Sequence, residues 1–124
     1  MSINVLIVDD DRVVSMTLRR QLLSVGYESK TANTAGEALK LAEHEPFTAI
    51  FVDYYLPDDD GIHVMEQLRQ IQPQTTLIMT TGCNEETIRS ELLKAHLADC
   101  QILQKPWSFS KMLMIVGIAA RQRE

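Results

Sequence analysis

Apolar residues in this chain fall into two alternating kinds of stretch. Short continuous runs occur at Val5-Leu6-Ile7-Val8, Ala49-Ile50-Phe51-Val52, Leu77-Ile78-Met79 and Ile102-Leu103. Their length and β-branched content are those of strands buried on both faces. Between them, apolar residues recur at the three- and four-residue intervals of one helix face. Strands alternating with helices imply a parallel sheet, because parallel neighbours need a crossover that a helix supplies.

The first strand is expected near residues 3–8. Asp10 or Asp11 caps the next helix, where Val14, Leu18 and Leu22 share a face, and Gly26 suits the position just past its end. Tyr27 to Ala32 reads as a weaker second strand, and Thr34 caps a helix to about His44, with Glu37 completing a capping box. A third strand over 48–52 leads into turn chemistry at Pro57-Asp58-Asp59-Asp60-Gly61. The helix that follows carries Val64 or Met65, Leu68 and Ile71, and ends before Pro73. The fourth strand lies near 75–80. Asn84-Glu85-Glu86 then opens a helix with Ile88, Leu92 and Ala95, and the fifth strand lies near 100–104. Ser108 caps a last helix to about Arg121, in which Phe109, Met112, Leu113, Val116 and Ala120 form the expected inward stripe. Met114 and Ile118 are left on the outside, with Ile115 at the margin. The pattern predicts one domain over residues 1–124: a three-layer, doubly wound (βα)5 α/β fold of flavodoxin-like type with a five-stranded parallel sheet.

Strands of an open parallel sheet end on one edge, where ligands bind. The apolar runs lead into Asp9-Asp10, Asp53, Thr80-Thr81 and Lys105-Pro106. Asp9, Asp10, Asp53, Thr81 and Lys105 are therefore expected in one crevice. Three carboxylates there repel one another, and protonation or a bound cation relieves the repulsion. An oxygen-rich, partly wet site suits Mg²⁺. With the Lys105 ammonium and the Thr81 hydroxyl, these groups form a receptacle for a phosphoryl group. A carboxylate can also be its nucleophilic acceptor, giving an aspartyl phosphate.

Each feature alone has a plainer explanation. An Asp pair after a strand is more often a helix cap than a ligand, and a lone Asp there is usually turn chemistry. Asp58-Asp59-Asp60-Gly61 resembles part of a calcium loop, but the flanking ligand positions fall on Leu56 and Gln67, so that reading fails. The specificity lies in all four elements occurring in order, each at the end of its own strand.

Composition narrows the class. A chain of 124 residues that is 45% apolar can bury one real core. A net charge of -5 argues against direct nucleic-acid binding and is compatible with a cation site. No apolar run is long enough to span a bilayer and no signal peptide precedes the first strand, so no membrane contact and a cytoplasmic location are expected. Cys83 and Cys100 match no zinc or redox spacing and are read as reduced thiols. Arg121-Gln122-Arg123-Glu124 reads equally as a natural end or as a junction with another domain.

Along its whole length the chain resembles the receiver domain of two-component response regulators. The resemblance rests on Asp9-Asp10, on Val52-Asp53-Tyr54-Tyr55-Leu56-Pro57 with Asp60-Gly61, on Thr81-Gly82, and on Lys105-Pro106. It implies that Asp53 takes a phosphoryl group from the phosphohistidine of a sensor histidine kinase or phosphotransfer protein. It further implies that Asp10, Asp53 and the Tyr55 backbone carbonyl ligate Mg²⁺, with Asp9 acting through water. Lys105 would contact the phosphate, the Thr81 hydroxyl would turn toward it, and the Lys105–Pro106 bond would be cis. The last helix would offer a surface for a homodimer or an effector. Such a protein is not an enzyme beyond its own aspartyl phosphorylation and dephosphorylation.

Three departures from that family pattern stand out. Ile102 stands where a switching aromatic is usual, and Ala98-Asp99 stands where Gly-Ala is usual. Tyr55 and Cys83, each two residues past a site residue, sit where water access to the acyl phosphate is shaped. Two rival readings remain. A haloacid dehalogenase-like phosphohydrolase would use an Asp-x-Asp motif, present in Asp9-Asp10-Asp11, but needs a further acid after the Lys, and none follows Lys105 before Glu124. A catalytically silent pseudo-receiver would not need all five site residues intact. A nucleotide-binding flavodoxin-like domain lacks its glycine-rich phosphate loop here.

Overall fold

The computed structural model describes residues 3–122. Five strands and five helices alternate: β1 (Asn4–Val8), α1 (Arg12–Ser24), β2 (Glu28–Ala32), α2 (Ala35–His44), β3 (Ala49–Asp53), α3 (Gly61–Ile71), β4 (Thr76–Thr81), α4 (Glu85–Lys94), β5 (Gln101–Gln104) and α5 (Phe109–Gln122). The strands are all parallel, in the order β2-β1-β3-β4-β5. The sheet winds outward from β1 in both directions, so the crevice of the topological switch lies between the ends of β1 and β3. Register brings the site residues level: Val8 pairs with Val52, Asp53 with Thr80, and Thr81 with Gln104.

Strand alternation divides the core in two. Val5, Ile7, Phe51, Ile78 and Leu103 pack under α1 and α5, and Leu6, Val8, Ile50, Val52 and Met79 pack under α2, α3 and α4. On α1 the inward residues are Ser15, Leu18 and Leu22, with Val14 only half-buried. Ser15 tolerates burial because its hydroxyl donates to the carbonyls of Asp11 and Arg12. The inward stripe of α5 also differs from expectation. Met112, Ile115, Val116 and Ala119 are buried, whereas Phe109 is exposed and Leu113 and Ala120 lie at the margin. This helix is apolar nearly all round, so periodicity left its phase open and the fit against Phe51, Ile78 and Leu103 selected it. Met114 is exposed as expected, while Ile118 is half-buried.

Helix ends follow local chemistry. Asp11 caps α1 through Val13 and Val14, Asn84 caps α4, and Ser108 accepts from Lys111 at the start of α5. Thr34 caps α2, but the Glu37 carboxylate reaches Asn33 N–H, one residue before the cap, rather than closing the box on Thr34. Gly26 leaves α1 at φ +84°, and His96 takes the same left-handed role after α4 at φ 61°. At the opposite end from the site, the Gln72 side chain joins four partners. It donates to Ala42 and Glu45 carbonyls and accepts from Phe47 N–H and the Thr75 hydroxyl.

Candidate functional site

The end of β1 places Asp9 in the switch crevice, where it is 1% exposed, and one of its oxygens accepts the Asp11 N–H at 2.9 Å. Asp53 closes β3 and is 9% exposed. Asp10 is exposed on the open side. Oxygens of the three carboxylates lie within 4.8 Å of one another. Lys105 reaches into this group from the end of β5, its Nζ lying 3.1 Å from Asp9 Oδ2 and 3.2 Å from Asp53 Oδ1. The peptide bond before Pro106 is cis, and Lys105 N–H donates to the Thr81 carbonyl at 2.7 Å. Thr81 is buried at the end of β4, and its hydroxyl accepts the Cys83 N–H at 3.0 Å.

Burial raises the Asp53 carboxyl above its usual 3.8, and the neighbouring Asp9 charge adds to this. Lys105 and the Tyr55 backbone N–H pull the other way without cancelling it. Burial alone would lower the Lys105 ammonium, but Asp53 and Asp9 outweigh burial and the net shift is upward. Among the described residues the site thus holds three carboxylates, all hard oxygen donors, against one fixed cation. Such a set fits a divalent cation of the Mg²⁺ or Ca²⁺ kind, and a second positive charge relieves the repulsion that Lys105 leaves.

The structure brings Asp9, Asp10, Asp53 and Lys105 together and sets Thr81 at the adjoining strand end. It also assigns separate work to the acidic run that follows. Asp58 accepts from Ala35 N–H (2.8 Å) and Gly36 N–H (3.1 Å), capping α2 from a distant loop, and these bonds lower its carboxyl pKa. Asp59 pairs with His63 at 2.7 Å, and Asp60 caps α3 through His63 N–H. Sequence reasoning missed Asp58 as a tertiary cap and Gly61 as a contact point. A glycine at the first position of a helix is a poor helix former, and that was the available signal of close approach.

The departures have structural counterparts. Ile102 is buried among apolar residues. Asp99 is bound by Arg69 at 3.1 Å and the Cys100 carbonyl by Arg89 at 2.9 Å, so two arginines secure the turn before β5. Tyr55 is 69% exposed and stands edge-on to Tyr54 with centroids 4.8 Å apart. Asp11 is committed to capping α1, which leaves the Asp-x-Asp reading without its second acid.

A parallel five-stranded sheet with this acidic crevice defines the receiver class, and the comparisons agree. The chain belongs to the response regulator receiver domain family, whose model matches residues 5–117. It is 33% identical over 124 residues to transcriptional regulatory protein SrrA of Staphylococcus aureus, covering 100% of this chain and 50% of the relative. The chain therefore spans about half the length of the curated relatives it matches. A receiver domain protein (CheY-like) from Methanospirillum hungatei superposes with a TM-score of 0.88 at 30% identity, over 99% of this chain and 98% of the other. A response regulator protein from Burkholderia pseudomallei, solved with a phosphorylated aspartic acid, a calcium ion and citrate, gives 0.83 at 31% identity, over 98% and 71%. The chain is thus a response regulator receiver domain, a module of two-component signalling; the phosphohydrolase and pseudo-receiver readings find no support. No helix among the described residues is long and apolar enough to cross a membrane.

Proposed function

We propose that Asp53 accepts a phosphoryl group from the phosphohistidine of a sensor histidine kinase or phosphotransfer protein, and that this modification switches a protein-interaction surface. The observation that carries this reading is the convergence of Lys105 Nζ on Asp9 and Asp53, with Asp10 completing a three-carboxylate cluster at the strand edge. An Asp53 carboxylate oxygen attacks phosphorus. The P–N bond breaks as the P–O bond forms, and the electron pair returns to the imidazole nitrogen, leaving an aspartyl phosphate. Lys105 keeps its charge and moves from the carboxylates to a phosphoryl oxygen, while the Thr81 hydroxyl donates to another. Asp10, Asp53 and the Tyr55 carbonyl would hold Mg²⁺ directly, and Asp9 through water, supplying charge neutralisation for the phosphoryl oxygens. Hydrolysis of the acyl phosphate resets the domain, and no other substrate is turned over.

Exposed Met114 on α5 supports the last helix as a contact for a second copy or an effector. Cys83 and Cys100 are both unpaired thiols, which suits a reducing, cytoplasmic setting.

Incubation with Mg²⁺ and acetyl phosphate or phosphoramidate is expected to add one phosphoryl mass to the parent and none to Asp53→Asn. Undiminished modification of that variant would move the acceptor to Asp10 or Thr81. Sedimentation of the Met114→Glu/Ile118→Lys variant with and without phosphoramidate tests the α5 surface. Unchanged self-association and partner binding would remove it.

A further inference from the structure

The loop from Tyr55 to Asp60 carries the Tyr55 carbonyl and is folded mainly upon itself. Its ends are held beside β3: Tyr54 N–H donates to the Thr80 carbonyl at 3.1 Å, and Gly61 N–H donates to the Tyr54 carbonyl at 2.8 Å. Inside the loop, Leu56 N–H donates to the Asp59 carbonyl at 3.2 Å, and Tyr55 bridges Asp60. The Asp59 carboxylate meets His63 of α3. Leu56 packs on the core, but Tyr55, Pro57 and Asp58 are exposed, so burial does little to fix the loop's tip.

Asp58 fastens that tip to α2. Both of its oxygens are engaged, Oδ1 by Ala35 N–H at 2.8 Å and Oδ2 by Gly36 N–H at 3.1 Å. Adjacent N–H groups in the first turn of a helix lack partners within it and favour an anion. The start of α2 is itself a firm anchor. Thr34 caps it through Glu37 N–H at 3.1 Å, its Ala35, Ala38 and Ala42 are buried, and the preceding Ala32 carbonyl accepts Asp9 N–H at 3.0 Å. In the sheet β1 lies between β2 and β3. The Asp58 bridge therefore runs from the β3 flank of the acidic crevice to the β2 flank, on either side of the strand that leads into Asp9 and Asp10.

We propose that Asp58 is a positioning residue for the cation site: by fastening the loop tip to α2 it holds the Tyr55 carbonyl in place for Mg²⁺ and so sets the affinity for the ion. This rests on the preceding reading of Asp10, Asp53 and the Tyr55 carbonyl as ligands. Asp53 belongs to β3 and Asp10 stands just past β1, so the sheet fixes both. The Tyr55 carbonyl stands on the loop, and its position depends on what holds the loop. Mg²⁺ demands near-ideal octahedral geometry, so a loosened carbonyl costs affinity. Linkage makes the effect reciprocal: the ion steadies the loop and tightens Asp58 on Ala35 and Gly36 by the same factor.

The test is calorimetric titration of the unphosphorylated protein with MgCl2, at a temperature where every variant is folded, in the parent, Asp58→Ala, Asp58→Asn and Thr34→Ala. Asp58→Ala should bind Mg²⁺ about tenfold more weakly, as loss of a group that orients a metal ligand does. Asp58→Asn keeps one carbonyl oxygen for the two N–H groups and should fall between. Thr34→Ala weakens the cap of the same helix without touching the loop, so it should lose stability and keep parental affinity. In the parent, Mg²⁺ should slow amide exchange at Ala35 and Gly36, followed by NMR, by about the factor that Asp58→Ala loses in affinity. Parental Mg²⁺ affinity in Asp58→Ala overturns the proposal. So does an equal weakening in Thr34→Ala, or exchange at Ala35 and Gly36 that Mg²⁺ leaves unaltered. A parent that binds no Mg²⁺ is a different failure: it removes the cation reading of the site, and this inference with it.

Discussion

A Cβ on Gly61 would lie 2.5 Å from the carbonyl oxygen of Asp53, closer than real Cβ contacts come. It would also meet the Cα of Tyr54 at 2.9 Å and the end of Met79 at 3.1 Å. Glycine is needed for close approach, since Gly61 is not among the residues with positive φ. The first turn of α3 therefore sits directly on the backbone that presents Asp53, the proposed acceptor. Gly61→Ala is expected to displace that backbone and cost about 1–3 kcal/mol in urea unfolding, as overpacking does. Phosphoryl incorporation from phosphoramidate should fall in parallel. Full incorporation at parental stability would mean that the loop absorbs the methyl group.

Among the described residues, Lys105 is the one cation bonded to Asp9 and Asp53, which are largely buried. Lys105→Ala leaves those charges facing each other. Because the ammonium is partly exposed, the cost in EDTA should be about 1–3 kcal/mol, below that of breaking a fully buried pair. Mg²⁺ at the proposed site would bind the folded state and restore a positive charge, so it should raise the melting temperature of the variant more than that of the parent. Melting curves in EDTA and in Mg²⁺ check both statements, and equal Mg²⁺ shifts would contradict the cation site.

Asp58 gives a pH dependence of defined sign. Its folded carboxyl lies below 3.8 because Ala35 N–H and Gly36 N–H donate to the ionised form. Such a group stabilises the fold fully above the unfolded value and loses that contribution as pH falls through the folded value. Asp58→Ala should melt lower than the parent at neutral pH, and the gap should close below about 3.8. Thermal melts from neutral to strongly acid pH measure it; a gap that widens in acid would reverse the assignment.

Gln72 ties together the ends of α2 and α3 and the segments entering β3 and β4. Gln72→Ala removes four bonds and strands the Phe47 N–H, so a loss of about 2–4 kcal/mol in urea unfolding is expected. The residue lies at the far end of the sheet, so phosphorylation of Asp53 in the folded fraction should be unaffected. Parental stability would show that water replaces the amide.

The alternation of strands and helices was readable in the sequence because run length and helical spacing are properties of neighbouring residues. So were the caps at Asp11, Thr34, Asn84 and Ser108, where a short polar side chain serves amides two or three residues away. The five site residues could be grouped without coordinates, because every parallel strand delivers its last residue to one edge. The tertiary structure alone decided relationships across long separations. Asp58 caps a helix that starts 23 residues earlier in the chain. The phase of α5 was set by Phe51, Ile78 and Leu103, since a helix apolar on most sides has no preferred inward face of its own. Arg69 on Asp99 and the glycine at 61 against Asp53 arise only when packed layers bring separate surfaces together. Local order is carried by each segment, whereas complementarity exists only between segments and becomes visible once they have met.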